Sequence, residues 1–553
     1  MKQFFTSLFG AVLTTMLVVS CSSGGGSDSS DNGSNGPVAP LVSSVTPTDK
    51  AKGVSSFTKI SAKFNKAMTG ASIDSASFTV NSSPSTAVTG TANYNDSSAT
   101  ATFVPTSPAM LAPATDYTAT ITTGARDSAG NPLANNYTWS FKTTHLDEAT
   151  FGDKGRVMTP IGGYTVTKDA AYAIAVQTNG KIVVGGDATG SLAGNTPRNA
   201  IARYNTDGAL DASFNGSGVL WAQNIASGSS DHINAMTIDG ATGKILVAGW
   251  SASNADASTL VARYNANGTP DTSFGTNGVV VQDLSGSFHD DSAFAIAIPT
   301  GGNIIIGGSS ACGAGTCLAL TRLDASNGSK DISFGASGIT LTDLGATATG
   351  IRSIALDTNG KIVAAATTGA NLEGTAIGHI VIVRYLNTGV LDSLFGVNGV
   401  VVTSLSSYGD AAQAIAVQPD NKILVAGWVV NDAVVLRYNT DGSLDTTFGN
   451  QGRAVTDIGN GNNYSYALAL QTDGKIVTAG KATNPSDPSD TVFALMRYTK
   501  DGILDTTFED NGIALLNFSV PGNAAHAVAI DPSGRIVVAG EAGGHFALAR
   551  YVK

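Results

Sequence analysis

The sequence predicts an all-β chain in two parts, a β-sandwich followed by a seven-bladed β-propeller. Three observations carry this reading. Short runs of partly alternating polarity crowd residues 37–145. An aspartate–phenylalanine signature recurs at near-constant spacing from residue 146 to 553, and helix-period patterning is missing from the repeats.

The chain begins with Lys2 ahead of an apolar run from Phe4 to Val19, closed by Leu17–Cys21 (LVVSC). That run is too short for a spanning helix, which needs roughly 20 apolar residues, and has the form of a signal-peptide core. It resembles a bacterial lipoprotein signal with its lipobox. The resemblance implies cleavage after residues 1–20, lipid on Cys21 and a membrane partner reached through that lipid. Residues 21–36 (CSSGGGSDSSDNGSNG) form no core and suit a flexible tether. Ser22 stands where lipoproteins kept in the inner membrane commonly carry Asp, so a Gram-negative host implies the outer membrane or cell surface.

Net charge is -11, and losing the signal removes Lys2 and no acid, which leaves -12. With no basic stripe, nucleic acid is excluded as the main partner. Beyond Cys21 only Cys312 and Cys317 remain, within SSACGAGTC. In an oxidising compartment they have the spacing to close a small loop, but they are too few for a disulfide framework or a four-ligand zinc site.

Between residues 37 and 145, Thr58–Phe64, Ser98–Phe103, Tyr117–Thr123 and Tyr137–Thr144 read as strands with one buried face. Asp127–Pro132 (DSAGNP) is turn chemistry, and several short strands in such a span argue a sandwich. Tyr117 and Trp139 are expected in its core. The segments VTPTDKAKGV, ISAKFNKAM and DSAGNPLANNYTWSFKTT resemble the SbsA-type bacterial Ig-like domain, which implies a spacer or adhesive module without a catalytic site.

From residue 146 the signature phenylalanine stands at Phe151, Phe214, Phe274, Phe334, Phe395, Phe448 and Phe508, spaced by 63, 60, 60, 61, 53 and 60 residues. Each unit supplies four short strands rich in Val and Ile, which is the content of a propeller blade. The last unit ends at Lys553 after three strands, and Arg156–Pro160 supplies the fourth, so that seven units close a ring without an exposed edge. An open solenoid is the competing architecture, but neither end resembles a polar cap. The repeat A-x-A-I-A-x-Q-x-D-G-K-I-V-x-A-G, then R-Y-N-x-D-G-x-L-D-x-x-F-G, resembles the delta-60 repeat, a bacterial family of uncertain function. Departures fall at Asn303 for Lys, Leu323 for Tyr, and the alanine-rich strand after Lys361.

The repeated motif admits two readings. Asp207, Asp441 and Asp501 superficially have the spacing of a calcium loop, but the closing bidentate Glu and the full set of oxygen positions are missing. Asn, Asp and Gly at a strand reversal instead favour Asx-turns. On that reading Asp211, Asp445 and Asp505 accept hydrogen bonds from turn amides, Phe214, Phe448 and Phe508 pack between blades, and Arg203, Arg437 and Arg497 fork to the acids or to carbonyls. No cofactor is assigned, with calcium at Asp207, Asp441 and Asp501 the competing assignment.

Function is expected where the repeats differ, on the face carrying the B–C and D–A loops. Trp250 and Trp428, read as opening B–C loops, are the ligand-contact candidates, with His289, Asp290 and Asp291 as a possible carboxylate cluster on the same face. The expected protein is a monomeric, lipid-anchored surface scaffold for recognition or adhesion, taking a glycan or protein ligand. A purely structural surface protein is the second reading. A propeller hydrolase or lyase on extracellular polysaccharide is the third and rests on fold analogy alone, since no catalytic motif is present.

Overall fold

The computed structural model describes residues 38–106, 109–161, 168–188, 198–221, 230–253, 256–285, 290–299, 302–312, 315–345, 348–368, 378–459 and 461–553. Cys21, the signal and nearly all of the N-terminal tether region lie outside the described residues, as does His289. Two sheets form the N-terminal sandwich. One orders Val42–Thr46, Ile60–Phe64, Thr100–Pro105 and Gly90–Asn95; the other orders Ala51–Val54, Tyr137–Thr143, Asp116–Ile121, Phe78–Ser82 and Thr86–Ala87. Alternate residues of both sheets meet in a core of Ile60, Phe64, Phe78, Phe103, Tyr117 and Trp139.

The remainder forms seven four-stranded antiparallel sheets. Blade 5 shows the plan: strand A is Asp410–Val417, B is Ile423–Val429, C is Asp432–Tyr438 and D is Arg453–Thr456. The A strands touch in a closed cycle, the first (Ala170–Val176) meeting the last (Ala524–Ile530). In the seventh blade, Arg156–Thr159 pairs antiparallel with His545–Tyr551, so the N-terminal segment supplies the outer strand. Burial concentrates in B and C strands: all seven residues of Ile182–Ala188 and of Ile362–Thr368 are buried.

A clamp built from the repeated motif holds each blade to the next. The Arg Nε donates to the Asp Oδ2 in Arg203–Asp211, Arg437–Asp445 and Arg497–Asp505 at 2.7 to 2.8 Å. Each guanidinium carbon also lies over its blade's phenylalanine: 4.8 Å from the Phe214 centroid, 4.7 Å from Phe448 and 4.5 Å from Phe508. A lysine from the A–B turn donates to the same carboxylate, as Lys422 does to Asp445 at 2.9 Å. In the third blade Asn303 takes that place, donating to Asp331 at 2.7 Å. The arginine also reaches forward: Arg437 Nη1 donates to the Lys500 carbonyl of the next blade at 2.6 Å, and Arg203 Nη1 to that of Ala266. Phe214, Phe448 and Phe508 are fully buried, packed against the following blade.

The clamp at the seam is assembled from both ends of the chain. Arg550, near the C-terminus, donates to Asp147 at 2.9 Å, covers Phe151 at 4.5 Å and reaches the Thr206 carbonyl of the first blade. Asp147 therefore fills the role of Asp445 despite its longer spacing from the phenylalanine. The seventh blade has no intact C–D turn, and the chain entering from the sandwich occupies that position. There Glu509, which stands where five of the other repeats carry glycine and one carries Asn215, accepts Thr144 Oγ1 at 2.7 Å and His145 N–H at 2.5 Å. Lys142 Nζ donates to the Thr507 carbonyl at 2.7 Å, and Lys52 Nζ to Asn511 at 2.6 Å. The sandwich thus meets the propeller on the face of the uniform C–D turns.

Asp445 shows what the clamp contributes. Burial alone would raise its carboxyl pKa; hydrogen bonds from Thr447 and Lys422, with Arg437, outweigh burial and hold it well below the usual carboxylate range. Its folded pKa lies below the unfolded value near 3.8, so the stabilisation is complete above that pH and is lost as pH falls toward the folded pKa. Asp445→Ala leaves a buried guanidinium unpaired and is expected to cost about 3–5 kcal/mol in denaturant unfolding at pH 7. The deficit relative to wild type should shrink in acid. A loss below about 0.5 kcal/mol, the level of an ordinary surface change, would contradict the clamp.

Candidate functional site

Every A strand is interrupted early by a β-bulge. The register shifts between Ala171 and Ala173, Ile233 and Ala235, Ala293 and Ala295, Ala412 and Ala414, Ser465 and Ala467, and Ala525 and Ala527. The cause lies on strand B, where a glycine faces the bulge. A Cβ on Gly249 would strike the His232 carbonyl, and one on Gly427 that of Ala411. Blade 4 has Ala366 at this place, and its A strand carries two irregularities, one on each side of Ile351. A bulge re-aims the residue it frees. The freed residues Tyr172, Asn234, Phe294, Arg352, Gln413, Tyr466 and His526, one from each blade, all line the central channel.

That channel holds a cavity of about 450 Å³, with Ile174, Ile296 and Leu468 among its apolar lining. Its volume falls within the roughly 300–1,000 Å³ typical of small-molecule sites. Around the ring the side chains are ordered by chemistry. Blades 6, 7 and 1 form an aromatic arc: Tyr466 stacks on His526 at 5.6 Å, and His526 meets Tyr172 at 5.1 Å. The arc continues outward through Tyr464 to Trp428, whose ring lies 4.8 Å from that of Tyr464. Across the channel the Arg352 guanidinium lies 4.4 Å from the Phe294 centroid. Asn234 and Gln413 flank the two groups, and Asn234 Nδ2 donates to the Ala293 carbonyl at 2.9 Å. Burial pushes the Tyr172 hydroxyl up to about 12, with the nearby Asp187 and Glu541 carboxylates adding to the shift, and burial lowers the Arg352 pKa. The Tyr172 hydroxyl therefore keeps its donor proton at neutral pH, and arginine does not deprotonate in proteins.

The sequence candidates are distributed differently from expectation. Trp250 and Trp428 lie inside B strands, Ile245–Ser253 and Ile423–Val429, rather than at loop starts. The hairpins continue beyond the glycine, pairing Trp250 with Thr259 and Trp428 with Ala433. The sixth blade's B–C hairpin is likewise extended, Ile476–Asn484 pairing with Asp487–Tyr498. Asp290 is exposed, whereas Asp291 is fully buried and accepts the Leu284 N–H at 2.5 Å. Asp291 thus caps the D–A connection, as Asp410 does for Leu405 and Ser406. Asp441 accepts the N–H and hydroxyl of Ser443, Asp207 accepts the N–H of Ala209, and Asp501 is paired with Lys500. A disulfide joins Cys312 to Cys317 across a B–C hairpin end.

A second cluster borders the channel face. His232 Nδ1 is hydrogen-bonded to the buried Asp187, His232 Nε2 lies 3.3 Å from Ser230 Oγ, and Trp250 stacks on the imidazole at 3.9 Å. Carboxylate, imidazole and hydroxyl stand in the order of a hydrolytic relay. Burial pushes the Asp187 carboxyl up, while the bond and charge of His232 oppose that shift. Sequence reading missed this group because Asp187 and His232 belong to different blades, and it missed the channel residues because the bulge that aims them is invisible to strict alternation.

Fold and site together define a class: a ring-closed propeller with one uniform face and a chemically varied channel, carried on an immunoglobulin-like sandwich. Residues 37–143 match the bacterial Ig-like domain, and residues 177–214, 240–274, 302–334, 418–448 and 471–508 match the beta-propeller domain of unknown function DUF5122. The chain combines these two families, a bacterial Ig-like domain followed by a DUF5122 beta-propeller. Among curated proteins none matches it. Similar solved structures include a catalytically inactive virginiamycin B lyase from Staphylococcus aureus with quinupristin, at 13% identity and TM-score 0.41, covering 72% of this chain and all of that one. Sqt1 from Chaetomium thermophilum is 13% identical with TM-score 0.38, covering 70% of this chain and 97% of that one. Likeness at that level extends to no activity.

Proposed function

We propose that this protein is a lipid-anchored surface scaffold that recognises an extracellular glycan through the propeller channel and the aromatic arc leading into it. The observation that carries the reading is the contrast between blades. Arg, Asp and Phe of the clamp repeat almost unchanged, while the bulge residue, held at one equivalent place, is Tyr, Asn, Phe, Arg, Gln, Tyr or His. Stacked rings beside amide donors offer what a sugar presents, an apolar face ringed by hydroxyls. Orientation supports it too: the sandwich meets the C–D turn face at Glu509, so a tether ahead of it leaves the channel's D–A mouth pointing away from the membrane.

In a glycan array on the purified chain, Trp428→Ala and Tyr466→Ala are each expected to weaken the best ligand by roughly two- to tenfold, since one stacking contact is worth about 0.5–1.5 kcal/mol, with the fold unchanged by circular dichroism. Unaltered binding in both variants would remove the channel and its arc from the site. Anchorage is a separate part of the proposal: wild type should incorporate labelled fatty acid and Cys21→Ser should not. Equal labelling of the two would refute it.

A second reading rests on Ser230, His232 and Asp187, whose relay geometry fits hydrolysis of an ester beside the channel mouth. Covalent labelling of wild type but not Ser230→Ala by a fluorophosphonate probe is its expected outcome, and an unreactive wild type would exclude it.

A further inference from the structure

Arg352 is the cation that the channel leaves unused by the fold. The clamp arginines are each spent on an aspartate, and all but Arg497 also on a carbonyl of the next blade, as Arg437 is on Asp445 and Lys500. Arg352 belongs to no such set. Among the described residues no carboxylate pairs with it, and its described contact is the face of Phe294. Arg352 is half-buried, and a guanidinium held beside an apolar ring without an acid has its charge uncompensated within the protein. The planar fork of a guanidinium suits it to a bidentate planar anion.

We infer that the channel takes a carboxylated sugar of the uronic acid type, with its carboxylate on Arg352 and its ring against Tyr466 and His526. This rests on the glycan-recognition reading and narrows its ligand class. Opposite sides of the cavity carry the two halves of such a ligand's chemistry, the cation on blade 4 and the stacked rings on blades 6 and 7. Gln413, on the blade between them, presents an amide to the hydroxyls. A single guanidinium balances one negative charge, which favours a carboxylate over a phosphate dianion.

The test is titration calorimetry of the purified full chain with trigalacturonate and with the neutral galactotriose. Trigalacturonate should bind at least tenfold more tightly, and the preference should fade as salt rises. Arg352→Gln should abolish the preference by bringing trigalacturonate affinity down to that of galactotriose, without lowering thermal stability; Tyr466→Ala should weaken both sugars. Equal binding of the two sugars, with Arg352→Gln silent, would overturn the acidic assignment and leave glycan recognition standing. Preferential capture of galactose 6-phosphate would replace the carboxylate by a phosphate and so overturn it as well. Failure of both trisaccharides to bind would also reject it, and the glycan array with Trp428→Ala would then decide recognition independently.

Discussion

The buried ion pair between one arginine and one aspartate per blade is the interaction on which the rest of the structure depends. A buried pair is weak evidence for net stability, because desolvation offsets much of the Coulombic gain. Its effect here is registry. In one side chain, Arg437 holds its own blade's turn through Asp445, covers Phe448 and donates to the next blade at Lys500. An apolar replacement can fill the volume but cannot satisfy the buried carbonyl and carboxylate together. Each clamp therefore sets the angle at which the following sheet docks, and repetition of that angle closes the ring.

Closure explains two features that look like irregularities in the sequence. Asp147 and Phe151 precede the first full repeat because they complete the clamp of Arg550 at the opposite end of the chain. Glu509 interrupts the glycine series because the chain from the sandwich enters beside it, and a carboxylate is needed for the Thr144 hydroxyl and the His145 amide. The His145 ring sits buried against Phe508, and burial with the nearby Arg497 and Lys142 charges lowers its pKa to about 3. It is neutral there and accepts the Glu509 N–H at 3.3 Å. The domain joint is thus built from the same motif as the blade joints.

Much of this was legible in the sequence. Spacing of Phe151 through Phe508 revealed the units, the missing last strand revealed the closure, and turn chemistry placed Asp445 among hydrogen bonds from its turn. The site was harder to read. Strict alternation assigns Tyr172 or Arg352 an ordinary place on a strand, and only the bulge, set against a strand B residue that is glycine in six blades and Ala366 in the fourth, turns that place into a channel-lining position. Trp250 and Trp428 were found by residue type but misplaced, because hairpin pairing continued through composition that reads as loop. Asp291 was misread for the converse reason: a polar residue beside a variable loop turned out to be a buried cap. Period identifies architecture; the departures from period need three dimensions to sort into cap, seam and site.

The central claim is that clamp residues make the ring and bulge residues serve it only as cargo. Thermal unfolding of a chain with all seven channel residues changed to serine tests this most directly. The account predicts one cooperative propeller transition within about 5 °C of wild type, since the substitutions leave every clamp and interblade phenylalanine in place. Loss of the folded state, or a transition split into several steps, would contradict it by making the channel residues part of the architecture.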